Sequence, residues 1–507
     1  MLTGQNGILN RAAEAKEKTS QAEKNEKVGA IKMEEMINDN FSEESIEETD
    51  DTNPGTLEQD TSDPNIYIVN SIEDLVVFSY NVSNGNTYEG KTVKLGITLD
   101  FNSTKSYCDA FREDYEKYGY RGELREALIS GNGWKSIGNE VDIGQNNFKG
   151  TFDGNNKCIC NLYINKNDIN EIGYIGLFAN NQGNIKNLSL KNAKINTSGN
   201  DEIYHFIGGI SGNNEGTIIN CATYGIYHSD GNSALISGIA GRNQGSIELC
   251  TNNAKISGNA MYMSGISAQN LSKIKKCNNL GEINSEKSGR YVGGITGLGY
   301  SKKVSDEDSV IEESYNKGKI SVIANDSLSV GGIVGQLQCI VKNCYNIGEI
   351  SVVIEKTKIT CNVGGITGIQ VGVLQNCYSE SQIETRKIND GQVDLFIGGI
   401  IGNYHQYSSK NLYSETSFKS SNSTNIGSVM GVAVNGAVIL EMKNLYFYGQ
   451  ESAIGSDLSG KSIQCNDLSE KPNQSKILEI INADDENKFI EDTKNINNGY
   501  PILYWQN

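Results

Sequence analysis

The 507-residue chain has only four prolines, three histidines and two tryptophans. The prolines are Pro54, Pro64, Pro472 and Pro501, so none falls between residues 65 and 471. Proline cannot donate a ladder hydrogen bond and is excluded from central strands. A stretch that avoids it so completely predicts strands paired on both edges. The histidines (His205, His228, His405) form no H-E-x-x-H, which argues against zinc-protease chemistry. There is no P-loop, G-x-S-x-G or EF-hand loop. No apolar run is long enough to span a bilayer. Basic residues are outnumbered, 44 Lys and Arg against 62 Asp and Glu, for a net charge of −18. Nucleic acid, which calls for a basic stripe, is therefore not an expected partner. The charge suits a soluble, self-repelling surface. No cofactor or metal site is expected.

Glycine is plentiful, with 56 residues, and it recurs in a pattern. Gly293-Gly294-Ile295-Thr296-Gly297, Gly331-Gly332-Ile333-Val334-Gly335 and Gly364-Gly365-Ile366-Thr367-Gly368 are copies of one phrase. Further copies centre on Ile210, Ile239, Ile266, Ile400 and Val429. Steps of about thirty residues indicate a solenoid or an array. A second phrase follows most copies, as in Cys277-Asn278-Asn279-Leu280-Gly281-Glu282-Ile283 and Cys344-Tyr345-Asn346-Ile347-Gly348-Glu349-Ile350. Alternate positions hold one residue class, the signature of a strand with one buried face. Helix is disfavoured, because each interior glycine would cost about 1 kcal/mol. A propeller blade would need about 40–45 residues and four strands. The expected fold is all-β: a parallel β-helix of roughly a dozen coils, with a short N-terminal helix and capping segments at its ends.

Stacked coils align equivalent residues into columns. One holds Cys221, Cys250, Cys277, Ser314, Cys344 and Cys377, continued by Leu412 and Leu445. It reads mainly as small apolar core, since free cysteine packs as a small hydrophobe. Disulfides remain an alternative that parallel Cβ vectors fit poorly. A polar column, Asn252, Asn279, Asn316 and Asn346, then Ser379 and Ser414, predicts amides that bond from coil to coil. The next column outward is Tyr315, Tyr345, Tyr378, Tyr413 and Tyr446. It reads either as inter-coil stacking or as an aromatic platform for flat ligands such as sugars. These five tyrosines are the candidate binding residues. No catalytic residues stand out.

Residues 1–40 read as a charged helical stalk and 41–65 as a disordered acidic linker, with nine acids and no base between Ser42 and Asp63. Residues 66–150 read as an N-terminal cap and first coils, with a helical insertion at 103–132. Ser71-Ile72-Glu73-Asp74-Leu75 is a helix N-cap signature, and that helix could cover an end of the solenoid. The β-helix repeats occupy 151–465 and a C-terminal cap 466–507. Irregular steps near 300–310 and 403–410 read as loops.

The two phrases together, best seen in residues 331–350, resemble the GLUG motif of bacterial surface proteins. Trp134-Lys135-Ser136-Ile137-Gly138, Phe148-Lys149-Gly150-Thr151-Phe152-Asp153-Gly154-Asn155 and Ile175-Gly176-Leu177-Phe178 are similar to the entry region of that family. Residues 496–506 are similar to its C-terminal ending. The resemblance implies a right-handed parallel β-helix on an exported protein, of a kind that accompanies adhesins and large surface proteases such as immunoglobulin A peptidases. It carries no catalytic residues. Leu2-Thr3-Gly4-Gln5-Asn6-Gly7-Ile8-Leu9 resembles the stretch after the hydrophobic helix of Gram-positive pilin-like proteins. That implies a cell-surface protein, membrane-anchored through an apolar segment preceding Met1. The function expected is a non-enzymatic, adhesin-like interaction protein with a glycan or extracellular-matrix ligand. The alternatives are a passive surface stalk or a polysaccharide-degrading β-helix enzyme.

Overall fold

The computed structural model describes residues 56–101, 133–141, 144–199, 201–287, 289–304, 307–420, 425–449, 451–468, 474–482, 488–497 and 500–506. The expected stalk, the linker up to residue 55 and the insertion at 103–132 lie outside these residues.

The described chain is a parallel β-solenoid, 55% strand. Inward-pointing residues form the stack. Tyr67, Val93, Phe152, Ile185, Ile218, Ile247, Ile274, Ile311, Val341, Leu374, Ser409 and Met442 pair in parallel register, one per coil. The solenoid makes about nine turns, against the dozen coils expected, although this one face stacks further rungs at its ends. A second, nine-stranded sheet runs from Gly173–Ile175 to Asn425–Gly427. It is shorter because the chain before residue 170 supplies no strand to it. The phrase isoleucines Ile210, Ile239, Ile266, Ile295, Ile333, Ile366 and Ile400 are fully buried. Burying such a side chain contributes about 1.5–3 kcal/mol, and β-branched residues suit a pleated, buried surface.

The cysteine column is core: Cys221, Cys250, Cys277, Cys344 and Cys377 are all buried, and every described cysteine is a free thiol. Cys465 extends the column, pairing with Leu445. The asparagine ladder forms as expected. Asn252 donates through Nδ2 to Asn279 Oδ1 at 2.7 Å, Asn279 to Asn316 at 2.8 Å, and Asn316 to Asn346 at 2.8 Å. A second ladder, Asn181 to Asn214 to Asn243 to Asn270, runs beside it at 2.7–2.8 Å per step.

One corner of nine successive coils turns through a left-handed residue just before the cysteine column. Asn187, Asn220, Leu249, Lys276, Glu313, Asn343, Asn376, Asn411 and Asn444 all have φ between 51° and 56°. Asparagine tolerates this region better than other residues with a side chain, which explains its prevalence there.

The ends differ from expectation in three places. Order begins before residue 66: Glu58–Gln59 pairs antiparallel with Ile66–Val69, and Leu57 is buried. Asp60 and Asp63 accept turn hydrogen bonds from Ser62 and Asn65, so local capping holds this acidic stretch in place. Residues 403–410 are no loop but part of one strand, Ile401–Ser414, whose register shifts near Tyr404 and Tyr407 absorb the irregular step. The C-terminal segment does more than close an end, as set out below. The N-terminal helix, α1 (Ile72–Ser83), is as expected. Ser71 Oγ accepts from the Asp74 N–H at 3.0 Å, and Asp74 accepts from the Asn70 N–H at 2.9 Å. Its Phe78 packs against Phe148, Phe152 and Phe178 at 5.4–6.2 Å and so covers the first coils.

Candidate functional site

The tyrosine stripe stacks as the repeat predicts. Tyr315 and Tyr345 lie 4.8 Å apart with planes 9° from parallel, and Tyr345 and Tyr378 lie 5.0 Å apart at 3°. It is not an open platform, however. Tyr345, Tyr378, Tyr413 and Tyr446 are all buried, and only Tyr315 is partly exposed. The cover is the C-terminal segment. It comprises α2 (Gln474–Ile481), the antiparallel pair Phe489–Ile490 with Ile502–Leu503, and a terminal turn, Tyr504–Gln506. Ile477, Ile481, Phe489, Tyr500 and Leu503 pack on the stripe. Trp505 lies against Tyr345 at 5.7 Å and Tyr315 at 6.2 Å, and the Gln506 amide donates to Tyr378 Oη at 2.9 Å. Tyr504 donates to Glu313. Burial pushes the Tyr378 and Tyr413 phenols well above their usual range. The outward aromatic column thus binds a segment of its own chain.

A different face combines aromatic rings with unpaired polar groups. It is built by the small last residue of each repeat phrase, glycine in most copies. A Cβ on Gly212 would lie 2.4 Å from Ile175 N and 2.7 Å from Tyr174 Cα. A Cβ on Gly241 would lie 2.4 Å from Ile207 N and 2.6 Å from Phe206 C. Gly402 and Gly431 meet the backbone at Val363 and Ile397 in the same way. These phrases therefore fold back tightly against the nine-stranded sheet of the preceding coil, which calls for a small residue: glycine at most coils, Ala179 and Ala268 at two of them. The fold-back makes an outward crease that runs from coil to coil.

One wall of the crease is the column two residues before each phrase: Tyr174, Phe206, Leu235, Tyr262 and Tyr291, in register. The other is the residue after each phrase: Asn180, Asn213, Arg242, Gln269, Leu298 and Gln336. The walls touch across the gap. The Arg242 guanidinium lies 5.6 Å from the centre of the Phe206 ring, and further along Asn403 donates to Asn362 at 3.0 Å.

Tyr174 and Phe206 are stacked 5.2 Å apart at 8° and form the buried floor. Tyr204 is 49% exposed beside Phe206, while Tyr262 and Tyr291 are half-buried and 5.0 Å apart. The Arg290 guanidinium lies 5.2 Å from the centre of the Tyr291 ring. Burial, with Tyr291 close by, pushes the Tyr262 phenol up to about 12, so it stays a neutral donor. On the opposite wall Glu215 gathers three amides, from Asn213 (3.0 Å), Asn180 (3.3 Å) and Gln182 (2.9 Å). Several buried polar atoms here have no partner among the described residues: Asn213 Oδ1, Arg242 Nε, Gln336 Oε1 and Asn403 Oδ1. Buried polar atoms are nearly always satisfied, so a row of exceptions on one wall suits a surface that completes its hydrogen bonds with something else.

None of these residues emerges from the repeat reading, which follows the phrase and not its flanks. The available signal was the aromatic residue two places before the phrase opens, at Phe206, Tyr262 and Tyr291. Among the described residues no cluster of three metal-ligating side chains forms.

No protein-family model and no curated protein matches the sequence. The solved structure of a candidate immunoglobulin A1 protease from Bacteroides ovatus aligns over 87% of this chain and 92% of its own, with 15% identity and a TM-score of 0.30. A likeness of that size bears on neither activity nor ligand.

Proposed function

We propose that this chain is a non-enzymatic, adhesin-like interaction protein of the bacterial cell surface whose β-helix presents a site for glycan or matrix ligands. The observation that carries the reading is the crease, where half-buried aromatic rings face a wall of amides and an arginine with unpaired polar atoms. Flat aromatic faces beside amide donors and acceptors are the chemistry that recognises sugar rings and their hydroxyls. The likeness of the phrases to the GLUG motif supports surface display.

The test is an array of glycans and matrix proteins probed with the full chain, beside a Tyr262→Ala/Tyr291→Ala variant of unchanged circular dichroism. Binding by the wild type that falls at least tenfold in the variant supports the crease. Binding that survives moves the site elsewhere on the solenoid. No binding by the wild type overturns the reading and leaves a passive scaffold. Release of reducing ends from a bound polysaccharide would replace it with the enzyme alternative.

A further inference from the structure

The two cations of the crease narrow its ligand. Arg242 and Arg290 each lean on an aromatic ring, and neither has a carboxylate partner among the described residues. This is notable in a chain with 62 acidic side chains, where surface lysines such as Lys255, Lys275 and Lys319 do find acids. A guanidinium held over a ring keeps its outer N–H groups directed away from the ring and pre-organised for a planar anion. The rings they cover, Phe206 and Tyr291, are three rungs apart in one column, through Leu235 and Tyr262. At the spacing of neighbouring strands that is about 14 Å. An extended sugar chain advances by about one ring per rung, so a linear chain lying along the crease would pass each arginine in turn.

We propose, building on the glycan reading of this crease, that its ligand is a linear acidic glycan bearing carboxylate or sulfate groups. The chain lies along the solenoid axis. Its sugar faces pack on Tyr204, Tyr262 and Tyr291, and Arg242 and Arg290 hold its anions. An acidic peptide matches the charge but offers no ring at every rung to lie against the aromatic column.

The test uses the full chain and isothermal titration with three probes: a hyaluronan octasaccharide, the same octasaccharide with its carboxylates reduced to alcohols, and a sulfated heparin octasaccharide. Poly-glutamate of equal charge is the competitor. At least one acidic sugar should bind. Arg242→Gln and Arg290→Gln should each weaken it about tenfold, as loss of a charge-assisted contact implies. Affinity should fall as salt rises. Arg386→Gln, an exposed side chain on the strand Gln382–Lys387 and outside both walls of the crease, should change nothing. Preference for the carboxylate or the sulfate probe identifies which anion the arginines hold. Equal binding of the reduced sugar overturns the acidic class while leaving the glycan reading intact. Displacement by poly-glutamate at equal charge overturns it in favour of an acidic polypeptide. Failure of all three sugars to bind, with neutral glycans also silent on the array, removes both proposals.

Discussion

The Trp505 indole N–H donates to the carbonyl of Asn343, 162 positions earlier, at 3.0 Å. This bond joins the last turn of the chain to the left-handed corner of a central coil. It turns the C-terminal segment into a strap along the flank, where a simple end cap would have stopped at the last coil.

Trp505→Ala should release that strap. The two ring contacts are worth about 0.5–1.5 kcal/mol each, and the hydrogen bond about 1 kcal/mol. Amide exchange across 489–504 should accelerate by roughly thirty-fold or more, while the central coils keep their protection. Nitration of Tyr345 and Tyr378 should rise in parallel. Unchanged exchange would mean that the apolar face of α2 holds the strap without the indole.

The solenoid was legible in the sequence because its determinants repeat. Gly-Gly-Ile-x-Gly, the alternating Cys/Asn/Gly/Ile positions and the missing proline all report a backbone constraint at every coil. The asparagine ladder and the N-cap at Ser71 were legible for the same reason, since each depends on local chemistry. What covers a column depends on tertiary placement. Tyr345 and Tyr378 are spaced like a platform whether or not Trp505 and Phe489 lie over them. The crease was hidden because its walls come from the residues flanking the phrase, which vary from coil to coil: Phe206, Leu235, Tyr262 on one side, Asn213, Arg242, Gln269 on the other.

Leu249→Asn should stabilise the protein. Leu249 is 52% exposed and held at φ 54°, a left-handed conformation costly for leucine. The equivalent asparagines donate to the preceding coil, as Asn220 does to Asn187 at 2.9 Å. Asparagine at 249 would meet Asn220 in the same way. Relief of backbone strain should contribute about 1 kcal/mol, read as a higher urea midpoint at constant m-value. A lowered midpoint would show that the leucine side chain does more than occupy the corner.

Asn316→Ala should be among the most damaging single changes. Asn316 is fully buried, accepts from Asn279 and the Gly318 N–H, and donates to Asn346 and the Gly318 carbonyl. Alanine would strand polar groups on both neighbouring rungs, at about 1–3 kcal/mol for each left unsatisfied. Asn316→Ser should cost less, because Ser379 and Ser414 already continue the column. Urea midpoints of the two variants check the order, and equal losses would mean that volume, not hydrogen bonding, sets the cost.

Stability should fall in alkali before it falls through any disulfide chemistry. Cys339 is fully buried, and burial pushes its thiol from 9.0 up to about 12. Cys361 and Cys465 shift in the same direction to about 12. A raised folded-state value means that the native protein holds protons the unfolded chain has released. The stabilisation is therefore complete below pH 9 and declines as pH rises through the window up to about 12. Within that window each such thiol changes stability by up to about 1.4 kcal/mol per pH unit. Urea midpoints measured at pH 7, 9 and 10 in the presence of a reductant should be flat between the first two and lower at the third. Cys339→Ala should lessen the drop between pH 9 and 10 even as it lowers stability at pH 7. An equally steep drop in that variant would assign the alkaline loss to the buried tyrosines instead.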